Sequence, residues 1–338
     1  MSSSNAQRFL ATGADDTALA LKMFTGTVLE AFRAKSKLWH DDAGVISKMV
    51  INNGKSHQFI LNGDVPVGEY HTPGDELLGQ AYEFDEGTIT VDQILVVHYD
   101  IPLDQTRMSH FPVIAPKMRD LGVGLAIDLD RKLFRVGVNS ARSAAVTKNG
   151  ITIHNGGNRV ERVAATLAAA YAVSVAGAQN FRDDVAALGQ AMNEDNVPED
   201  GRNLFIGPYI RRVLGKDPTI FDKDYSNDSG DMNARRLPML EGFILHETNH
   251  LPSTSVTAGP TSQRGDFTVA GASGQPAALA LCGARQGNGG VGFVQNGDIY
   301  THMHFDERRN TTFMKAQIIG GMGILAPYCA GVIEVDDS

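Results

Sequence analysis

Residues 62–86 restrict the fold of this chain more than any other segment. Gly63, Pro66, Gly68, Pro73, Gly74 and Gly79 punctuate them, and no long apolar run crosses them. The segment carries Asp64, Glu69, Asp75, Glu76, Glu83, Asp85 and Glu86 and not one Lys or Arg. Its large apolar residues, Val65, Val67, Tyr70, Leu77, Leu78, Tyr82 and Phe84, are too few and too interrupted to form a core of their own. A compact domain seldom holds so long a stretch without regular structure unless the stretch has a function. The expectation is a long projecting loop or hairpin that works against something outside its own core.

The opposite charge bias follows downstream. Pro112 and Pro116 open an expected helix over 116–137, in which Met118, Leu121, Leu125, Leu129 and Val136 keep the 3.6-residue period. Val123, Ile127 and Phe134 lie on other faces, so this helix is expected to be buried on more than one side. Around it stand Arg107, Lys117, Arg119, Arg131, Lys132, Arg135 and Arg142, against Asp120, Asp128 and Asp130. An acidic loop over a neighbouring copy's basic helix would set register by charge and adhere through apolar contacts. The candidate intersubunit residues are therefore Asp64, Glu69, Asp75, Glu76, Leu77, Leu78, Glu83 and Phe84 on the loop. Their counterparts are Arg119, Arg131, Lys132 and Arg135 on the helix.

Elsewhere the pattern mixes helices and strands. Residues 1–15, rich in small residues, read as a mobile arm. Leu21, Phe24, Val28 and Phe32 predict an amphipathic helix over 16–36, with Asp15 or Asp16 as cap. Residues 46–61 read as strands around a turn at Asn52–Asn53–Gly54, and 88–98 as one strand. Residues 159–177 are expected to be helical, with a second helix starting near Asn180. A strand at 203–208 precedes a helical turn. Residues 222–236 read as a surface loop, 240–245 as a strand, and 253–275 as a loop with a possible hairpin arm. Strands are expected at 277–283, 291–295 and 299–305, and the chain closes with the strand AGVIEV. No βαβ rhythm repeats, so the fold class is α+β.

Composition narrows function. The chain has 338 residues, above the ~250–300 at which single cores stop growing, and its net charge of −9 is spread without a basic run. That disfavours dedicated nucleic-acid binding, which needs concentrated positive charge. Cys282 and Cys329 read as two reduced thiols rather than a disulfide framework. The N-terminus does not resemble a signal peptide, and no apolar run reaches the length of a membrane span.

The motifs that suggest chemistry fail on context. His246-Glu247-Thr248-Asn249-His250 matches a zinc-protease pattern that requires both histidines one helical turn apart. Here an apparent strand precedes it and Pro252 follows. In a strand those histidines would sit roughly 13 Å apart. Gly54-Lys55-Ser56 lacks the first glycine of a phosphate loop, since Met49 stands there. The stretch Asp222 to Ser226 opens like a calcium loop but has Asn227 in place of glycine and Asn233 in place of glutamate. His302 and His304 share a strand face without a clear third ligand. Asp306-Glu307-Arg308-Arg309 is simplest as a charged strand end or turn. No catalytic, cofactor or metal site is assigned, and the protein is not expected to be an enzyme.

The segments LALKMFTGTVLEAFRAKS, GKSHQFILNGDVPVGEYHTPGDEL, TITVDQILVVHYDIPLDQ and LAIDLDRKLF occur in that order. Together with FDERRNTTFMKAQIIGGMGILAPYCAGVIEV near the C-terminus, they resemble the major capsid proteins of T-seven-like podoviruses. The likeness covers roughly 17–140 and 300–335. It implies the Hong Kong 97-type phage capsid fold, with an N-terminal arm and helix in 1–61, an E-loop at 62–86, and a P-domain with the spine helix at 87–150. It further implies an A-domain at 151–298, P-domain return strands at 299–318 and a closing A-domain strand at 319–338. The implied function is self-assembly, as hexamers and pentamers, into an icosahedral shell around the double-stranded DNA of a tailed phage. DNA would be contacted only loosely and non-specifically. The implied partners are other copies of the chain, a scaffolding protein and a portal protein at one vertex, with no membrane. The implied location is the virion capsid, reached from the host cytoplasm. Rival readings are an encapsulin-type nanocompartment, which shares the fold, and a zinc hydrolase built on His246 and His250.

Overall fold

The computed structural model describes residues 13–38, 45–62, 68, 70–74, 76, 79, 83–91, 93–109, 113–218, 239–256, 275–283 and 289–336. The arm up to residue 12, most of the segment 63–82, the loop 222–236 and most of 253–275 lie outside them.

The first helix, α1, runs Gly13–Lys35. It starts before Asp15 and Asp16, which therefore fall in its first turn instead of preceding it. A short helix α2 (Leu103–Met108) leads to α3, Ile114–Ala141, the longest of the described helices. The expected 116–137 lies within it. The C-terminal extension has a packing cause, because Val136, Val138 and Ala141 are buried in the main core.

Two sheets flank α3. One has five strands: β1 (Ile46–Ile51), β12 (Val291–Asn296), β14 (Thr311–Ile324), β13 (Tyr300–Asp306) and β4 (Gln93–Pro102). The long strand β14 is its axis, antiparallel to β12, β13 and β4, while β1 runs parallel to β12. The other sheet has six strands in the order β7 (Asn158–Val163), β15 (Ala330–Asp336), β11 (Gln275–Leu281), β8 (Asn203–Ile206), β10 (Phe243–Glu247) and β9 (Met239–Leu240). Its central strands alternate between two cores. Phe205, Leu279, Leu281 and Val332 face the cluster around α3, and Leu204, Ala278, Ala280 and Ile333 face the cluster around α5 (Val175–Glu194) and α6 (Pro208–Leu214). A strand buried on both faces reads as continuously apolar, which is how AGVIEV reads.

The helix α1 packs on α3 and also touches β13, with Thr25 and Thr301 hydroxyls 2.6 Å apart, so the two helices cover the same face of the five-stranded sheet. Gly122 permits the crossing: a Cβ there would collide with the Val28 carbonyl of α1.

Several expectations need correction. The strands around Asn52–Gly54 do not pair with each other; β1 joins β12, and β2 (Ser56–Asn62) joins β3 (Phe84–Thr90). The expected strand 88–98 is two strands, because the chain leaves the β2–β3 ribbon near Val91 and enters the main sheet as β4. Residues 159–177 are not a helix. They begin with β7, whose Arg/Val/Glu alternation fits an edge strand beside β15, and Leu167–Ala170 then forms a short helical turn, α4. The next helix, α5, starts at Val175, capped by the Ser174 hydroxyl, five residues before Asn180. The strand 240–245 contains a two-residue turn, with Glu241 and Gly242 at φ 47° and 85°, the left-handed pair that tight hairpins need. An unexpected hairpin, β5 (Val146–Lys148) with β6 (Ile151–His154), turns at Asn149–Gly150 in the same way.

Leu125 is fully buried between α1 and the sheets. Replacing it with Ala should lower unfolding stability by about 2–5 kcal/mol, the usual range for a buried leucine. Denaturant titration of the soluble subunit would measure this, and an unchanged midpoint would disprove the packing assignment.

Candidate functional site

The acidic segment 62–86 sits on a ribbon. Strands β2 and β3 pair from Ser56↔Thr90 to Asn62↔Phe84, so the chain leaves and returns side by side. The ribbon has two unlike faces. On the inner face Phe59 and Ile89 join Val91, Val294 and Leu325 in a small cluster that anchors its base. On the outer face Ile60 and Phe84 are 66% and 51% exposed, and farther along Tyr70 is fully exposed.

Of the loop candidates, Glu76 is exposed. Glu83 accepts a hydrogen bond from Asn149 Nδ2 at 2.8 Å, and the Lys148 ammonium lies 3.5 Å from Asp85. The β5–β6 turn thus holds the loop end of the ribbon within the same chain. Asp64, Glu69, Asp75, Leu77 and Leu78 lie outside the described residues.

The basic side of α3 is smaller than its sequence suggests. Arg119 and Arg131 are exposed. Lys132 pairs with Asp128 at 3.3 Å, one turn away. Arg135 is only 6% exposed, and burial lowers the pKa of its guanidinium, with Asp128 opposing. Arg142, counted in the sequence as part of the basic bias, is committed internally. Its guanidinium holds the fully buried Glu334 at 2.5 Å, and Arg159 holds the same carboxylate from β7 at 2.8 Å. Burial pushes the Glu334 carboxyl up, against the pull of both arginines.

Other buried polar groups were not singled out in the sequence. Asp130 on α3 has no exposed side-chain surface. It accepts hydrogen bonds from Ser36 Oγ and from the backbone N–H groups of Lys37 and Leu38, at 3.2, 2.6 and 3.4 Å, and so ties the end of α1 to α3. Asp184 on α5 accepts from Tyr171 at 2.6 Å and from Arg162 at 2.7 Å. Burial, then Asp184, raises the Tyr171 hydroxyl's pKa. One signal was available for Glu334, as an acid inside the apolar run AGVIEV. Asp130 had none, because three acids occur in that helix and only packing tells them apart.

The H-E-x-x-H residues do not lie on a helix. His246 is in strand β10, its Nε2 within 2.8 Å of Asn203 Oδ1 and its ring stacked on Phe205. His250 follows the strand, with Nδ1 3.5 Å from Asp130 and its ring edge-on to Phe134. Both are structural neighbours of the α3 core. Cys282 and Cys329 are buried thiols outside any disulfide, their backbones joined by a 3.0 Å hydrogen bond, and burial pushes the Cys282 thiol up to about 12. Among the described residues no group of three or more potential metal ligands gathers, and no helix is long and apolar enough to cross a membrane.

The model for the Gp10A-like family, described as major capsid protein, matches residues 63–334. The capsid structure of the cyanophage P-SCSP1u superposes with a TM-score of 0.73 at 24% identity, covering 87% of each chain. The mature capsid of bacteriophage PhiM1 gives 0.71 at 14% identity, covering 87% of this chain and 86% of that one. A virus-like particle from Pyrococcus furiosus gives 0.52 at 10% identity, covering 93% and 98%. No curated protein matches the sequence. The fold is the Hong Kong 97-type phage capsid fold, the architecture of a shell subunit. The chain belongs to the Gp10A-like family of major capsid proteins.

Removing Glu334 would leave Arg142 without its buried partner. Glu334→Ala should cost about 3–5 kcal/mol, the usual effect of breaking a buried ion pair. Thermal unfolding of subunits would show the loss, and a parent-like melting point would mean that the arginines find other partners.

Proposed function

We propose that this protein assembles, as hexamers and pentamers, into the shell that encloses the double-stranded DNA of a tailed phage of the T-seven-like podovirus kind. Assembly would use a scaffolding protein, start in the host cytoplasm and leave one vertex to a portal protein. DNA inside would be touched only loosely, in keeping with the net charge of −9. The six-stranded sheet with α5 and α6 serves as the A-domain. The five-stranded sheet with α3 serves as the P-domain and takes in β12, which lies between β1 and β14.

The observation that carries this reading is the β2–β3 ribbon, which turns the exposed Ile60 and Phe84 outward, with the exposed Tyr70 in the segment between its strands. The acidic loop acts between subunits, lying over the neighbour's α3, where Arg119 and Arg131 are exposed. Single contacts of this kind are weak, and a lattice multiplies them. Weak contacts also let a misplaced subunit leave.

Replacing 63–82 by a short Gly/Ser turn keeps both ribbon strands. The subunit should stay folded and soluble and form no closed shells by electron microscopy. Reversing Asp64, Glu69, Asp75 and Glu76 to Lys should slow assembly, with partial recovery at higher salt as repulsion is screened. Normal shells from the loop-deleted chain would overturn the assembly role of the ribbon.

A further inference from the structure

The helices α1 and α3 cover one face of the five-stranded sheet; on the other face the β2–β3 ribbon packs over Val294 and Ile319, and the part along β13 with the adjoining lengths of β14 and β4 is exposed. Tyr300, His302 and His304 alternate along β13 on that exposed part. Register places His302 opposite Lys315 and His304 opposite Phe313 on β14, with His98 and Asp100 next in line on β4. The rings form a continuous row. Tyr300 and His302 are 6.3 Å apart, His302 and His304 5.2 Å, His304 and Phe313 5.4 Å, and Phe313 and His98 5.9 Å.

The middle pair matters chemically. His304 is exposed and His302 half-buried, and neither imidazole has a hydrogen bond or ion pair among the described residues. Two imidazoles on one tetrahedral ion, each nitrogen at about 2.0–2.1 Å, place their ring centroids about 5 Å apart. The observed 5.2 Å separation matches that requirement without movement of the strand. Successive same-face positions of a strand supply the spacing, whereas the four-residue spacing of His246 and His250 does not.

We infer that His302 and His304 form a two-imidazole chelate for a divalent transition-metal ion of the Zn2+ class, its remaining positions filled by water in the free subunit. Among the described residues, the other charged or titratable groups on this face of β13, β14 and β4 are His98, Asp100, Tyr300, Lys315 and Asp306. The Lys315 ammonium opposes a cation, but it lies over the Tyr300 ring, 5.5 Å from the centroid and on the far side of His302 from His304. Asp306 accepts from the Arg308 N–H at 2.9 Å and is turned toward the β13–β14 connection. With two protein ligands the site is weak and exchangeable, unlike a closed structural zinc site. The site is independent of the ribbon and goes beyond the shell reading.

Calorimetric titration of the purified full-length chain with Zn2+ tests it. The expected result is about one ion per chain in the micromolar range. Affinity should fall by about tenfold or more in His302→Asn and equally in His304→Asn, because each removes one of two ligands. His98→Asn, on the same face but across β14, should bind as the parent does. Co2+ in place of Zn2+ should show the visible absorption of tetrahedral nitrogen coordination, lost in both ligand variants. Absence of binding at millimolar Zn2+, or equal binding by the parent and both ligand variants, would overturn the site. Electron microscopy of the same samples separates the two readings. Closed shells that bind no Zn2+ remove the site alone, and Zn2+ binding without shells removes the shell function alone.

Discussion

The fold depends on the burial of α3 on several sides at once. A helix with a single apolar stripe could rest on one sheet, but α3 buries Leu121, Leu125, Leu129 and Val136 along one face and Phe134 and Val138 on another. It thereby joins the five-stranded sheet, the six-stranded sheet and α1 through a shared core. Polar groups fix the positions within that core. Asp130 holds the end of α1, Ser140 Oγ donates to the Gly290 carbonyl beside β12, and Arg142 reaches Glu334 on β15. Each would be costly to leave unpaired, so each admits one arrangement of its neighbours.

That rigid centre explains why the remaining surfaces can stay open. The ribbon adds little to the subunit's own core beyond its small anchoring cluster, and its outer face carries apolar side chains into water. The face of the five-stranded sheet away from the helices likewise exposes Ile94, Val96 and Tyr300. A solitary globular protein gains nothing from such surfaces, whereas a tile in a lattice covers them with its neighbours.

Much of the fold was legible in local chemistry. The period of Leu121, Leu125 and Leu129 located α3, and that of Phe24, Val28 and Phe32 located α1. The strands at 203–206 and 291–296 and the closing strand announced themselves by apolar runs. Misreadings fell where packing overrides pattern. Residues 159–163 alternate like a strand but adjoin an Ala-rich stretch, and only pairing with β15 makes them β7. Val91 looks like the middle of one strand, yet the chain changes sheets there. The Asn149–Gly150 hairpin carried a strong local signal that a search for long apolar runs passes over.

The candidate interface divides in the same way. By itself the sequence determined that 62–86 is acidic, glycine-rich and coreless, because those properties belong to composition. It likewise determined that α3 is buried on more than one side, because periodicity is a property of single residues along one axis. Which charges remain available was decided by tertiary structure alone. Arg119, Arg131, Arg135 and Arg142 are the same residue type in one stretch of chain, but Arg135 is buried and Arg142 is paired with a carboxylate 192 positions away, while the other two face solvent. Charge is written residue by residue, whereas its availability depends on partners brought together only when distant segments pack, and no local pattern encodes that distance.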